Sequence, residues 1–344
     1  MTPGVSGALS DPKAKAIKER CNVKRSVVIA GLVAMSSANL WHCAVAQEYP
    51  VKPVRLIVPQ NPGGIADSTG RLLAKHFSEV WSQPVVVENK PGGSAMIGAA
   101  FVARAPADGY TLLLGVPSLS IFNAILKNPE INAEKDLAPV SQIVATPMVI
   151  AVNAALPVSN LAELVMHARA NPGKLNYGSS GGAMTLVIEY FKEVAGIDLY
   201  RVSYTGESQA VPALATNDVQ VVFATPVALG PMIQAGKVKA IATTSASFRI
   251  PAMPQVPTSV ESGLKGYDVI AWLGLFAPAN TPAPIRRKLA DEVGVFARKP
   301  EVIAQSRSVG NIPVGSTPEE FAALVSAENR RWSDVARRAG VEKQ

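Results

Sequence analysis

Short β-rich runs alternate with amphipathic stretches along most of the chain, which predicts an α/β fold of parallel sheets with helices on both faces. Two further observations shape that prediction. Of the 344 residues, 48% are hydrophobic and only 17% are charged, so the chain can bury a large core and is not a disordered one. About nine strand candidates over roughly 300 residues are too many for one sheet, and two lobes are expected.

The strands are expected at 54–58, 85–88, 111–114, 147–152, 175–177, 201–204, 219–223, 240–243 and 269–277, each an apolar or β-branched run bounded by Gly, Pro or polar residues. Helical spacing marks 68–81, 95–105, 160–170, 185–195, 208–216 and 226–235; in the first of these Leu72, Leu73, His76, Phe77 and Val80 fall on one face. The apolar run 144–155 reads as a strand crossing between lobes, with 269–277 as a second crossing. A Pro-rich connection then leads into a helix at 285–297. The stretch S-T-P-E-E-F-A-A-L at 316–324 opens a last helix, with Thr317 as cap, Pro318 in the first turn, and Glu319 and Glu320 at the positive end of the dipole. No internal repeat is visible.

The N-terminus reads as an export signal. A basic region ending at Lys24-Arg25 precedes the apolar run 26–38, and the small residues Ala44 and Ala46 fit a cut after Ala46. The run is shorter than the ~20 apolar residues a permanent membrane helix needs. His42 is bulky where a lipid-attachment site at Cys43 would want a small residue, so a lipoprotein is not expected. This segment also explains the formal charge of +7: residues 1–46 contribute +4, leaving +3 for the rest. Nucleic acid is therefore not an expected partner. Cys21 and Cys43 both fall in the segment, so the exported chain would hold no thiol for catalysis, metal or disulfide. His76 and His167 lie in separate helical patterns and are read as structural or surface residues, and no metal or other cofactor is expected.

In parallel sheets, ligands bind beyond the carboxyl ends of strands, where a turn enters a helix. The stretch I-V-P-Q-N-P-G-G-I-A-D at 57–67 is such a turn. Gly63 and Gly64 permit close backbone approach, and the helix start offers free N–H groups that hold an anion without a lysine. Asn61, Gly63, Gly64, Ile65, Ala66 and Asp67 are the candidate ligand contacts; Asp67 either caps the helix or meets a ligand hydroxyl or amine. Read alone, the motif also fits a simple tight turn with an Asp cap. It has neither G-K-[ST] nor G-x-G-x-x-G, which argues against phosphate-bearing cofactors.

A second turn, Y-G-S-S-G-G-A-M-T at 177–185, has the same setting and nominates Ser179, Ser180, Gly181, Gly182, Ala183 and Thr185. With one turn on each lobe, the two would face across a cleft. Ser118 and Ser120 in G-V-P-S-L-S, and Thr205 in Y-T-G-E-S, are weaker candidates. A serine hydrolase using Ser179 or Ser180 would need a nearby base, and no G-x-S-x-G elbow is present.

These motifs together resemble the extracytoplasmic solute-binding receptors of tripartite tricarboxylate transporters, often called Bug-type receptors. The resemblance rests on Y-P-V-K-P-V-R-L-I-V-P (49–59), P-G-G-I-A-D (62–67), Q-P-V-V-V-E-N-K-P-G-G (83–93), A-D-G-Y-T-L-L-L-G (107–115) and L-N-Y-G-S-S-G (175–181). It continues through V-P-T-S-V-E-S-G-L-K-G-Y (256–267), G-L-F-A-P-A-N-T-P (274–282) and T-P-E-E-F-A (317–322). It implies a type II periplasmic binding fold: a signal peptide at 1–46, one lobe from 47–148 plus 268–344, and a second from 149–267, joined by two crossing strands. It further implies a monomeric receptor without enzymatic activity that takes a small carboxylate in the cleft and hands it to membrane permease subunits. An orphan receptor or sensor of an organic acid is the alternative. Apart from Met96, which stands where the family often has Asn, the chain departs from the family pattern in two places. The turn after Gly181 is shorter and lacks a usual histidine, and Ala224 and Thr225 stand where the family carries an Asp after the strand. Both are counted among the ligand-facing positions, and the missing Asp makes amino-acid ligands less expected.

Overall fold

The computed structural model describes residues 1, 3–4, 49–126, 130–179 and 182–338. The expected signal peptide, the cut after Ala46 and both cysteines lie outside the described residues, as do Ser180 and Gly181. The chain divides into the units Met1–Tyr49 and Pro50–Gln344, and the second holds all the regular elements among the described residues.

Two sheets build this unit. The first contains β1 (Val54–Val58), β2 (Val85–Asn89), β3 (Thr111–Gly115), β4 (Leu137–Pro147), β10 (Ile270–Pro278) and β11 (Ile312–Pro313), in the order β11-β4-β10-β3-β1-β2. The second contains β5 (Val149–Asn153), β6 (Asn176–Ser179), β7 (Tyr200–Ser203), β8 (Val221–Ala224) and β9 (Val238–Thr243), in the order β7-β6-β8-β5-β9. Both are mixed where strand-helix alternation predicts parallel sheets. Parallel pairs do occur at one end of each sheet, β1 with β2 and β3, and β6 with β7 and β8. The chain then reverses as it passes between sheets: β10 runs antiparallel to β3 and β4, and β5 antiparallel to β8 and β9.

The crossing expected as one strand over 144–155 is two strands broken at Met148. The Met148 N–H donates to Thr244 Oγ1 at 3.0 Å, and the Thr244 N–H donates back to the Met148 carbonyl at 2.8 Å. On the second connection, the Val269 N–H donates to the Thr244 carbonyl at 2.9 Å. One fully buried threonine thus laces both connections together. The first half of β4 escapes the strand reading because Pro139, Ser141 and Gln142 interrupt its apolar pattern, though it is paired along its length with β10.

Helices cover the sheets: α1 (Ile65–Trp81), α2 (Met96–Ala103), α3 (Ser118–Ile125), α4 (Ala133–Asp136), α5 (Leu161–Ala170), α6 (Gly182–Ala195), α7 (Glu207–Thr216), α8 (Pro226–Gln234), α9 (Ala283–Ala297), α10 (Pro300–Ser308) and α11 (Pro318–Arg338). The start of α11 is a reciprocal capping box. Thr317 Oγ1 accepts the Glu320 N–H at 3.2 Å, and Glu320 Oε2 accepts the Thr317 N–H at 2.9 Å.

The core is divided between the sheets. Ile57, Leu113, Trp272, Phe276 and Phe321 form a cluster on the first; Ile150, Tyr177, Phe191, Phe223 and Tyr267 form one on the second. Helix α11 supplies Phe321 and Val325 to the former and Trp332 and Val335 to the latter, so it joins the two cores. Gly274 makes that docking possible, because a Cβ there would run into the Phe321 ring.

Candidate functional site

The β1–α1 turn is built by one carboxylate. Gly63 takes a positive φ of 90°, and Gly64 caps α1 in an extended conformation with no side chain of its own to satisfy the first helical amides. Asp67, in the first turn of α1, reaches back to the loop. Its Oδ2 accepts the Gly63 N–H at 3.0 Å and Arg71 Nε at 3.0 Å, and its Oδ1 accepts Asn89 Nδ2 at 2.9 Å. Asn89, at the end of β2, also donates to the Gln60 carbonyl at 3.1 Å. Hydrogen bonds from Arg71, Gly63 and Asn89 hold the Asp67 carboxyl down at about 2. Asp67 gives α1 no side-chain cap; it is buried and committed to bracing the loop, whereas residues 61–65 are exposed.

The second turn joins β6 to α6. Ser179 is buried at the end of β6, and its Oγ lies 2.7 Å from Thr185 Oγ1 in the first turn of α6, tying strand end to helix start. Ala183 and the neighbouring Met184 are half-buried.

A cavity of about 200 Å³ lies next to both turns, reached from the first through Gln60 and from the second through Ala183 and Met184. Its wall includes Gln60 just before the first turn, Ser118 from α3, Ala183 and Met184 from α6, and Met148 and Val269 from the two connections between sheets. The structure thus brings Ser118 and Ala183 together beside the turn at 61–67. Larger open hollows lie elsewhere, one of about 570 Å³ among Arg169, Lys192 and Asp198. There the charges are already paired, with Lys192 contacting Glu189 and Asp198.

Among the described residues, only Ser118 and Ala183 of the predicted set are in the cavity wall; Asn61, Gly63, Gly64, Ile65, Ala66, Asp67, Ser179 and Thr185 are outside it, as are the following four. Ser120 is buried within α3, 1% exposed, and its hydroxyl has no hydrogen-bond partner. The exposed Thr205 gives its N–H to Gln209 Oε1 at 3.2 Å. Ala224 is fully buried at the end of β8. Thr225 caps α8, and both its N–H (3.2 Å) and its Oγ1 (2.7 Å) donate to the Glu207 carboxylate. Glu207, overlooked by motif reading although it lies within Y-T-G-E-S, sets a carboxylate beside the position where the resemblance expects an Asp. The positive end of α8 is thereby occupied by the protein's own anion.

His76 is 3% exposed on α1, packed against Phe77 and Phe296, and neither ring nitrogen has a hydrogen-bond partner. Burial pushes its pKa down from 6.5, and Lys299 adds to the effect. His167 lies on α5, half-buried. Among the described residues no group of three His, Cys, Asp or Glu side chains is placed to hold a metal, and no helix is long and apolar enough to cross a membrane.

Two α/β sheets joined by two laced connections, with helix-starting turns from each lying next to one cavity, define a solute-binding protein of the two-lobed periplasmic type. Residues 69–341 match the model of the tripartite tricarboxylate transporter family receptor, and the chain belongs to that family. It is 30% identical over 325 residues to protein BugT of Bordetella pertussis, covering 93% of this chain and 99% of BugT. Among solved structures it is similar to Rpa4515 of Rhodopseudomonas palustris with adipate, at 33% identity and a TM-score of 0.71 over 85% of this chain and 99% of that one. It is also similar to MatC of the same organism with bound malate, at 30% identity and a TM-score of 0.67 over 83% and 99%. Receptors of this family are periplasmic solute-binding proteins.

Proposed function

We propose that this chain is exported through an N-terminal signal peptide cut after Ala46 and captures a small organic acid for permease subunits of a tripartite tricarboxylate-type transporter. It acts as a monomer and performs no chemistry on its ligand. One lobe comprises 47–148 with 268–344, the other 149–267, and the ligand lies between them. Its carboxylate is held by the backbone N–H groups of Gly64, Ile65 and Ala66, the Gly63 N–H being given to Asp67, with the turn after β6 opposite.

The observation that carries this reading is the division of labour at the first turn. Asp67 spends its charge on Gly63, Arg71 and Asn89, while the α1 start has no side-chain cap and faces an exposed loop beside the shared cavity. Fixed backbone donors at a helix start suit a carboxylate. Adipate in one relative and malate in another are both dicarboxylates, which supports the carboxylate as the common element.

A thermal-shift screen of mono-, di- and tricarboxylates tests the reading. At least one acid raises Tm, because a ligand that binds only the native state must stabilise it. A screen in which no acid shifts Tm removes the assignment.

A further inference from the structure

The cavity next to the turns is walled by hydrocarbon. Ile121, Met148, Met184, Val187 and Ile270 line it, and among the described residues its polar side chains are Gln60, Ser118 and Glu328, besides the Trp332 indole that bonds Glu328. The Gln60 side chain stands at the exposed mouth. Ser118 Oγ is turned away to donate to the Ser94 carbonyl at 2.8 Å. Glu328, on α11, is the third.

Glu328 is 4% exposed, and both carboxylate oxygens are in use. Oε1 accepts from Arg331 Nη1 at 2.9 Å, and Oε2 accepts from Trp332 Nε1 at 2.7 Å. Arg331 Nη1 also donates to the Asp268 carbonyl at 2.8 Å, so the guanidinium is fixed on the far side of Glu328. Among the described residues that line the cavity there is no lysine or arginine.

A ligand carboxylate at the first turn would send the rest of the molecule past Gln60 into this space. A second carboxylate there would lose its water, find no cation and approach a buried acidic group, each of which opposes binding. A hydrocarbon body would instead replace water against apolar walls. The size agrees, since an apolar cavity of about 150 Å³ admits benzene, and this one has about 200 Å³.

We infer that the ligand of this receptor is a monocarboxylate with an apolar body of about six carbons, aliphatic or aromatic, seated between Met148, Met184 and Ile270. The inference rests on the carboxylate reading above and narrows it: the acid has one charged end and one hydrocarbon end. This separates the chain from its dicarboxylate-bound relatives by the chemistry of the distal wall.

Titration calorimetry on the purified protein with acetate, butanoate, hexanoate, benzoate, succinate and adipate tests it. Affinity rises about fourfold per added methylene from acetate to hexanoate, the value of burying one CH₂ group. Benzoate binds at least as well as hexanoate, and adipate at least tenfold more weakly. Ala271 on β10 also lines the cavity, and Ala271→Phe, which places a ring in it, abolishes the chain-length dependence. A flat series, a preference for succinate or adipate, or an Ala271→Phe protein that keeps the hexanoate preference overturns the inference while the carboxylate reading stands. If no acid of either kind binds, the carboxylate reading itself fails, and the inference with it.

Discussion

Asp67→Asn tests whether the first turn is held by a charge. The wild-type carboxylate accepts three donors, and an asparagine amide turns one of its acceptor oxygens into a donor facing Gly63 N–H or Arg71 Nε. The carboxyl is lowered from 3.8 to about 2. At about 1.4 kcal/mol per unit this corresponds to at most ~2.5 kcal/mol. The Arg71 hydrogen bond is the largest cause, and the Arg71 side chain is 55% exposed, so solvent screens part of it. About 1–2 kcal/mol is expected to survive, or about 2–6 °C in Tm. Because the native pKa lies below the unfolded one, the native state holds fewer protons between those values. The contribution is complete above about pH 4 and is lost as pH falls through about 2. Urea unfolding of both proteins at pH 7, 5, 3.5 and 2.5 measures it: the gap between them is constant from pH 7 to 5 and narrows below. Equal stability at pH 7, or a gap undiminished at pH 2.5, would refute the charge argument.

Three other expectations use the same measurements. Gly63→Val strains a residue with φ of 90° and destabilises the fold by about 1–2 kcal/mol, whereas Gly64→Val, in an extended conformation with its nearest foreign atom 3.9 Å away, leaves stability unchanged and abolishes acid binding; retained affinity in Gly64→Val would make the turn structural only. Thr244→Val leaves the Met148 N–H without its hydroxyl partner and costs about 1–3 kcal/mol in urea unfolding, while a cost below about 0.5 kcal/mol would show that the lacing is incidental. His76, facing Glu79, Glu292 and Lys299, favours its neutral form in the fold, so its contribution is complete above 6.5 and is lost as the pH falls below it. Wild type therefore loses more stability than His76→Leu between pH 7 and 5, and parallel profiles would contradict this.

Local chemistry made much of the frame legible. Val54–Val58 and Thr111–Gly115 are apolar runs with turn residues at both ends, and Thr317 with Glu320 forms the capping box that its spacing announces. What stayed hidden depends on distant partners. The strand start at Leu137 looks broken by Pro139 and is completed by Pro278 and its neighbours on β10. The sheets were expected to be parallel because alternation says nothing of chain reversal at a crossing. α3 and α10 escaped because helical apolar spacing is weak in S-L-S-I-F-N-A-I and P-E-V-I-A-Q-S-R-S.

The binding region shows the same split more sharply. Gly63, Gly64 and Asp67 sit in one contiguous motif, so their joint role could be read directly. The distal wall could not, since Glu328 and Trp332 come from the last helix and reach the cavity only because Gly274 lets Phe321 dock α11 between the two cores. Glu207 makes a related point. Judged by position, the chain has lost an acidic group at Ala224; judged by space, a carboxylate from α7 stands beside it on Thr225. That carboxylate caps α8 and is bound twice, so it cannot meet a ligand amine without leaving the helix end uncovered. A carboxylate thus stands near the position of the missing Asp, and Asp67, Glu207 and Glu328 are all engaged by the protein itself. On the inference above, a second negative charge on the ligand meets no lysine or arginine among the described residues that line the cavity.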